Sequence, residues 1–182
     1  MNKSMKIWQK IGFVFTGIRG VLLHFVYDWT DESIFVAPFS AVNESTWEHM
    51  KLLFFPMLTF AFIEYRFVGK NYENYWCVKL IGISVGLAVI PTLYYTYTGA
   101  LGVSADWFNI TIFFIADAVA YFVEARLFIN EFSLYKGKRI PIVILLIIFA
   151  LFVVFTFFTP KIPIFMDPVT KAYAGGILPY GK

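Results

Sequence analysis

Hydrophobic positions in this chain fall into five long blocks separated by short polar stretches. The first, IGFVFTGIRGVLLHFVYDW, predicts a helix over about 11–29, long enough to cross a ~30 Å hydrocarbon core at ~1.5 Å per residue. A second is predicted over 45–67, where Ser45-Thr-Trp-Glu48 has the spacing of a capping box and Pro56 removes one backbone bond. Three more follow over 75–98, 107–129 and 140–159, the last, IPIVILLIIFALFVVFTFFT, being the most apolar. The tail over 160–182 is broken by Pro163, Pro168, Pro179, Gly175 and Gly176, so it reads as a surface segment with a turn at Asp167-Pro168-Val169-Thr170. The pattern predicts an all-α membrane protein, a bundle of five transmembrane helices forming one polytopic domain over 1–182.

A secretory signal is the competing reading of the first block. Arg19 interrupts its apolar run and no small-x-small cleavage site follows, so the helix is expected to be retained.

Basic residues set the expected orientation. Ten lie at the amino terminus and in the second and fourth connections: Lys3, Lys6, Lys10, Arg66, Lys70, Lys79, Arg126, Lys136, Lys138 and Arg139. The opposite side has four, Lys51, Lys161, Lys171 and Lys182. The bias predicts a cytoplasmic amino terminus and an extracytoplasmic carboxyl terminus.

Composition agrees with placement in a bilayer. Hydrophobic residues make up 59% of the chain and charged ones 15%, a balance that a water-soluble core does not absorb. The 22 Phe, 11 Tyr and 5 Trp suit a lipid-facing surface with interfacial rings. The net charge of +3 lies in short clusters between apolar blocks, which argues for topology rather than nucleic-acid binding. Cys77 is the single cysteine, so an intrachain disulfide and a cysteine-only metal site are excluded.

Candidate chemistry gathers at two levels. His24 and Asp28, four residues apart, share a face at the outer end of the first helix, while Glu44, Glu48, Lys51 and His49 stand at the outer start of the second. His24, His49 and Glu48 form a donor set suited to zinc or another divalent ion, although nothing in the sequence establishes a cofactor. The structural alternative has Glu44 and Glu48 complementing a helix amino terminus and the histidines making ordinary hydrogen bonds. Deeper in the bilayer, Arg19 and Asp117 are mid-helix charges expected to face inward, as an ion pair or as part of a proton or ion pathway. On the fourth helix Asn109, Ala116, Asp117, Ala120 and Glu124 form a small or polar stripe, and Gly82 and Gly86 have GxxxG spacing. Glu64, Arg66, Glu124 and Arg126 read as interfacial ion pairs and snorkelling side chains.

No phosphate loop, dinucleotide fingerprint or cysteine cluster is present. A Ser-His-Asp set assembled from Ser40 or Ser45, His49 and Asp28 has no local mark of an activated serine.

The blocks VNESTWEH over 42–49, the following FFP, and FMDPVTKAY over 165–173 resemble, in order and over nearly the whole chain, a family of small bacterial integral-membrane proteins catalogued as a domain of unknown function. The resemblance implies a bacterial cytoplasmic membrane and supplies no activity. Lys171 stands where that pattern has glycine. The leading functional expectation is binding of a small ligand or ion in an outward-facing polar pocket between helices 1, 2 and 4, covered by the tail, with Arg19, Asp28, Glu44, Glu48 and Asp117 as ligand-binding residues. The alternatives are a metal-assisted membrane hydrolase, a small transporter using Arg19 and Asp117, and a structural subunit. The expected partners are the lipid bilayer and a small ligand or ion, with no nucleic acid.

Overall fold

The first helix begins well before the apolar block does. Asn2 caps it, its side-chain oxygen accepting the Met5 N–H at 2.8 Å, and α1 then runs over Lys3–Trp29 rather than from residue 11. Met5 and Gln9 are buried one turn apart while Lys3, Lys6 and Lys10 are exposed, so this charged stretch is an amphipathic first part of the same helix. The computed structural model describes residues 1–130 and 137–173. The expected roles of Lys136, Gly175, Gly176, Pro179 and Lys182 lie outside the described residues.

Four more helices follow: α2 over Thr46–Phe67, α3 over Tyr75–Leu101, α4 over Asp106–Ile129 and α5 over Arg139–Phe157. Short 3₁₀ turns lie at Gly69–Asn71 and Pro163–Phe165, and among the described residues there is no strand, only an isolated antiparallel bridge between Met166 and Tyr173. The helix α3 extends to Leu101 because Gly102, at φ 70°, supplies the left-handed residue that closes its last turn.

Among the described residues the architecture is all-helical, with five α-helices. Among the described residues α1, α3 and α5 are long and apolar enough to cross a membrane, three helices instead of the expected five. Both α2 and α4 carry charged residues along their length, and of these Glu48, Lys51, Glu64, Asp117 and Glu124 turn inward and are buried. Their outward positions include Phe62, Ile63, Ile110, Phe114, Ile115 and Phe122.

The most extensive helix pair is α3 with α4, followed by α1 with α2. Gly86 packs against α4, where an added Cβ would stand 3.0 Å from that of Ala120, and Gly20 of α1 faces the Leu52 carbonyl, 2.8 Å from such an atom. Small residues thus let the backbones approach closely, as the GxxxG spacing of Gly82 and Gly86 predicts. On the far side, Phe54, Phe55, Phe149 and Phe152 form an aromatic contact between α2 and α5.

Candidate functional site

The rim of the bundle is built by the segment between α1 and α2. The Ser40 hydroxyl accepts the Tyr27 N–H at 3.0 Å and donates to the Leu23 carbonyl, inserting itself into the ladder of α1. Ser45 caps α2, its hydroxyl accepting the Glu48 N–H at 3.4 Å. Both serines considered for a hydrolase are therefore structural. The capping box is only half made: the Ser45 N–H goes to Asn43 Oδ1 at 2.9 Å, and Glu48 accepts from Val42 at 3.0 Å instead.

Glu44 projects from this rim between two imidazoles. Its Oε1 lies 3.5 Å from His24 Nε2 and its Oε2 3.5 Å from His49 Nε2, with the rings 5.6 Å apart. His49 Nδ1 lies 2.9 Å from the Ser45 carbonyl, which only accepts, so Nδ1 carries the hydrogen. In neutral His49 the Nε2 lone pair therefore faces a carboxylate oxygen, an arrangement that calls for a proton or donor between them.

These groups open onto a cavity of about 340 Å³. Its apolar walls are Val21 and Phe25 of α1, Leu52 of α2, Ile110 and Phe113 of α4, and Val169 of the tail; His24, Glu44, His49 and Asn109 are its polar lining.

The tail is fastened to the same rim. Phe165 is buried with its ring 4.6 Å from Trp47 and 5.6 Å from Phe155. Asp167 accepts from the N–H groups of Val169 at 2.7 Å, Thr170 at 3.0 Å and Glu44 at 3.4 Å. Burial acts to raise its carboxyl, but these donors and the Thr170 hydroxyl outweigh burial and hold it below the ordinary carboxylate value.

Below the rim, Glu48 turns away from the histidines. It makes a buried ion pair with Lys51 at 2.6 Å, and Lys51 also donates to the Ala37 carbonyl at 2.8 Å and Thr156 at 3.0 Å. The expected metal set of His24, His49 and Glu48 does not assemble, because Lys51 one turn along claims the carboxylate. Among the described residues no group of three or more His, Cys, Asp or Glu side chains is arranged to hold a metal ion. Asp28 is exposed and does not line the cavity, lying beyond it at the end of α1.

A second polar assembly fills the opposite half of the bundle. Lys79 Nζ bridges Glu64 at 2.5 Å and Glu124 at 2.6 Å, all three side chains being excluded from the surface. Gln9 donates to Glu64 Oε1 at 3.0 Å, and the Tyr75 hydroxyl lies 2.9 Å from Glu64 Oε2 and 2.7 Å from the Ala61 carbonyl. The rings of Tyr75 and Tyr121 lie 5.5 and 5.4 Å from the ammonium. Glu64 and Glu124 are buried rather than exposed at helix ends, because Lys79 stands inside α3 and draws both carboxylates inward. Arg66 and Arg126 remain exposed.

The expected pairing of Arg19 with Asp117 does not occur. Gly17 faces Asp117, and Arg19, two residues on, projects from the other side of α1, exposed and over the Phe15 ring at 5.8 Å. It borders a separate cavity of about 320 Å³ with Phe39, Pro56, Thr59 and Phe149. Asp117 is wholly buried and neither of its oxygens has a hydrogen-bond partner.

Sequence reasoning missed Gln9, Tyr75 and Tyr121, and placed Lys79 on the surface. A signal existed for Gln9: Met5, Gln9, Gly12, Thr16 and Gly20 recur at helical spacing and are all buried.

Among the described residues the chain is all-helical, and three of its helices, α1, α3 and α5, have the length and apolar composition of membrane spans. The chain belongs to a family of unknown function, DUF6512, which matches residues 1–176. No curated protein and no solved structure matches it.

Proposed function

We propose that this chain is a multi-pass protein of a bacterial cytoplasmic membrane that binds a small ligand with a cationic or hydrogen-bond-donating head in the pocket between α1, α2 and α4. The observation that carries this reading is the convergence of His24 Nε2 and His49 Nε2 on the two oxygens of Glu44, each at 3.5 Å, at the polar side of an otherwise apolar cavity. The carboxylate supplies charge, the imidazoles orient the head, and Phe25, Ile110 and Phe113 enclose an apolar body.

In this reading all five helices cross the membrane, with the amino terminus in the cytoplasm and the tail outside as a lip over the pocket. Burial of the charges of α2 and α4 supports the two additional spans. Lys79 and Lys51 are buried in ion pairs and drop out of the loop count; they come from opposite sides, so the basic bias persists. The bacterial setting rests on the resemblance of the VNESTWEH and FMDPVTKAY blocks.

The test is equilibrium binding of a fluorescent alkylamine to protein in gentle detergent, with the corresponding alkyl carboxylate as control. Saturable amine binding that weakens roughly 10- to 100-fold in Glu44→Gln is expected, since a charge-assisted hydrogen bond contributes about 1.5–3 kcal/mol. Binding indifferent to Glu44→Gln, or a preference for the carboxylate, overturns the reading. So does a stoichiometric metal found by elemental mass spectrometry and lost in a folded His24→Ala/His49→Ala variant, which restores the metal-assisted alternative.

A further inference from the structure

A stripe of α4 carries Asn109, Phe113, Asp117, Tyr121 and Glu124 at intervals of three or four residues, Phe113, Asp117 and Tyr121 facing α1 and Asn109 and Glu124 meeting α3. One end of this stripe lines the pocket, through Asn109 and Phe113. The other ends at Lys79, through Glu124. Between them the Tyr121 hydroxyl meets Thr16 of α1 at 3.1 Å, and Asp117 faces Gly17.

The charges in this interior do not balance. Glu64 of α2 and Asp117 and Glu124 of α4 bring three carboxylates, and Lys79 of α3 brings the one ammonium in contact with any of them. The remaining groups facing the seam, Gln9 and Thr16 from α1, Tyr75 from α3 and Tyr121 from α4, are neutral donors and acceptors. Arg19 points away, and Lys51 is engaged by Glu48. Among the described residues Asp117 is fully buried with both oxygens unpartnered. An ionised carboxylate with neither counter-ion nor hydrogen bond is among the least tolerable groups in a protein interior. Three carboxylates against one ammonium leave two positive charges wanting, one within the Glu64–Lys79–Glu124 cluster and one at Asp117; at Asp117 the missing charge is either a metal cation or a proton, and no metal-holding group of side chains is present among the described residues.

We propose that Asp117 is an intramembrane proton-binding site: its carboxyl holds one proton as the neutral acid between the pocket and the Lys79 network. The transfer forms an O–H bond on an Asp117 carboxylate oxygen and breaks one in a water molecule or hydronium, with no redox change. The site does not depend on the alkylamine reading, since Glu44→Gln leaves Asp117 untouched.

Infrared difference spectroscopy of the protein in lipid vesicles at neutral pH reads this directly through the carbonyl stretch of a protonated carboxyl, which is distinct from the carboxylate bands. Wild type is expected to show such a band, to shift it when the protein is made with carbon-13 aspartate, and to lose the shifted component in Asp117→Asn. The Glu124→Gln variant should retain it. Folding of each variant is checked by elution as a single species and by protection of the buried Cys77 thiol. Absence of the band in wild type, failure of the label to shift it, or its survival in folded Asp117→Asn overturns the proposal. The labelling arm uses the unmutated chain and separates aspartate from glutamate, so a band that fails to shift overturns the proposal even where Asp117→Asn does not fold. Binding of radiolabelled sodium in place of the band overturns it in favour of a metal cation.

Discussion

The carboxylate of Asp167 accepts the backbone N–H of Glu44 at 3.4 Å, joining two segments 123 residues apart at the mouth of the pocket. The VNESTWEH and FMDPVTKAY blocks are thus one structural unit, with the Trp47 and Phe165 rings in tilted contact beside this bond. Asp167→Asn replaces a charged acceptor by a neutral one, and hydrogen bonds to charged groups contribute about 1.5–3 kcal/mol. Amide exchange at Val169 and Thr170 should quicken roughly 10- to 100-fold in the variant. The effect has a defined pH sign. Because the folded carboxyl lies below its ordinary value, its contribution is complete above about pH 4 and is lost as pH falls through the folded value. The difference between wild type and Asp167→Asn should therefore be full at neutral pH and vanish in acid; a difference that grows in acid contradicts the assignment.

Lys171 closes the same turn in the left-handed region, at φ 59°, donating its N–H to the Asp167 carbonyl at 2.9 Å. A side chain there costs about 1 kcal/mol that glycine avoids. Lys171→Gly should slow exchange of the turn amides roughly fivefold, the reverse of Asp167→Asn in the same measurement. Faster exchange would mean that the lysine side chain holds the tail by a contact outweighing the backbone strain.

Lys79 is the one cation serving Glu64 and Glu124, so Lys79→Met leaves two carboxylates without their partner. Breaking such a buried pair destabilises by about 3–5 kcal/mol, whereas neutralising all members together restores much of the loss. Cys77 is enclosed in wild type and reports unfolding when a fluorogenic maleimide reaches it on heating. The labelling midpoint should fall sharply in Lys79→Met and recover in the triple variant that adds Glu64→Gln and Glu124→Gln. Equal midpoints for Lys79→Met and wild type would show that the ammonium is dispensable. The same burial makes native Cys77 a reporter of unfolding rather than of sidedness; topology is better read from cysteines placed at exposed Lys3 and Lys161 in a Cys77→Ser background.

The positions of the helices were largely legible in sequence, because apolar blocks of 19 or more residues separated by Pro, Gly and charge leave few alternatives. The pocket was legible in part. His24, Glu44 and His49 do converge, since they sit at the ends of adjacent helices. Glu48 was misassigned because helical spacing offers it to both its own helix face and the rim, and only packing shows that Lys51 claims it. The Lys79 network was hidden for a different reason. A lysine one turn inside a helix looks like a loop charge until its burial is known, and no periodicity links Gln9, Glu64, Tyr75 and Glu124 across four helices. Arg19 and Asp117 were matched by depth alone; rotation about α1, two residues from Gly17, separates them.

Glycines in α3 provide a graded test of how tightly the network is packed. A Cβ on Gly82 would overlap the Cγ of Glu124 and stand 2.8 Å from its Oε1, and the carboxylate cannot retreat without leaving Lys79. A Cβ on Gly99 would meet nothing within 4 Å. Gly99→Ala should therefore be neutral or stabilise by up to about 1 kcal/mol, the helix-propensity gain of alanine over glycine. Gly82→Ala combines overpacking, at about 1–3 kcal/mol, with displacement of a buried ion pair, and should lower the Cys77 labelling midpoint markedly. Adding Glu124→Asp to Gly82→Ala shortens the crowded side chain by one methylene and should recover part of the loss. If Gly82→Ala unfolds no earlier than Gly99→Ala, the close approach of α3 to Glu124 is not what holds this interior together.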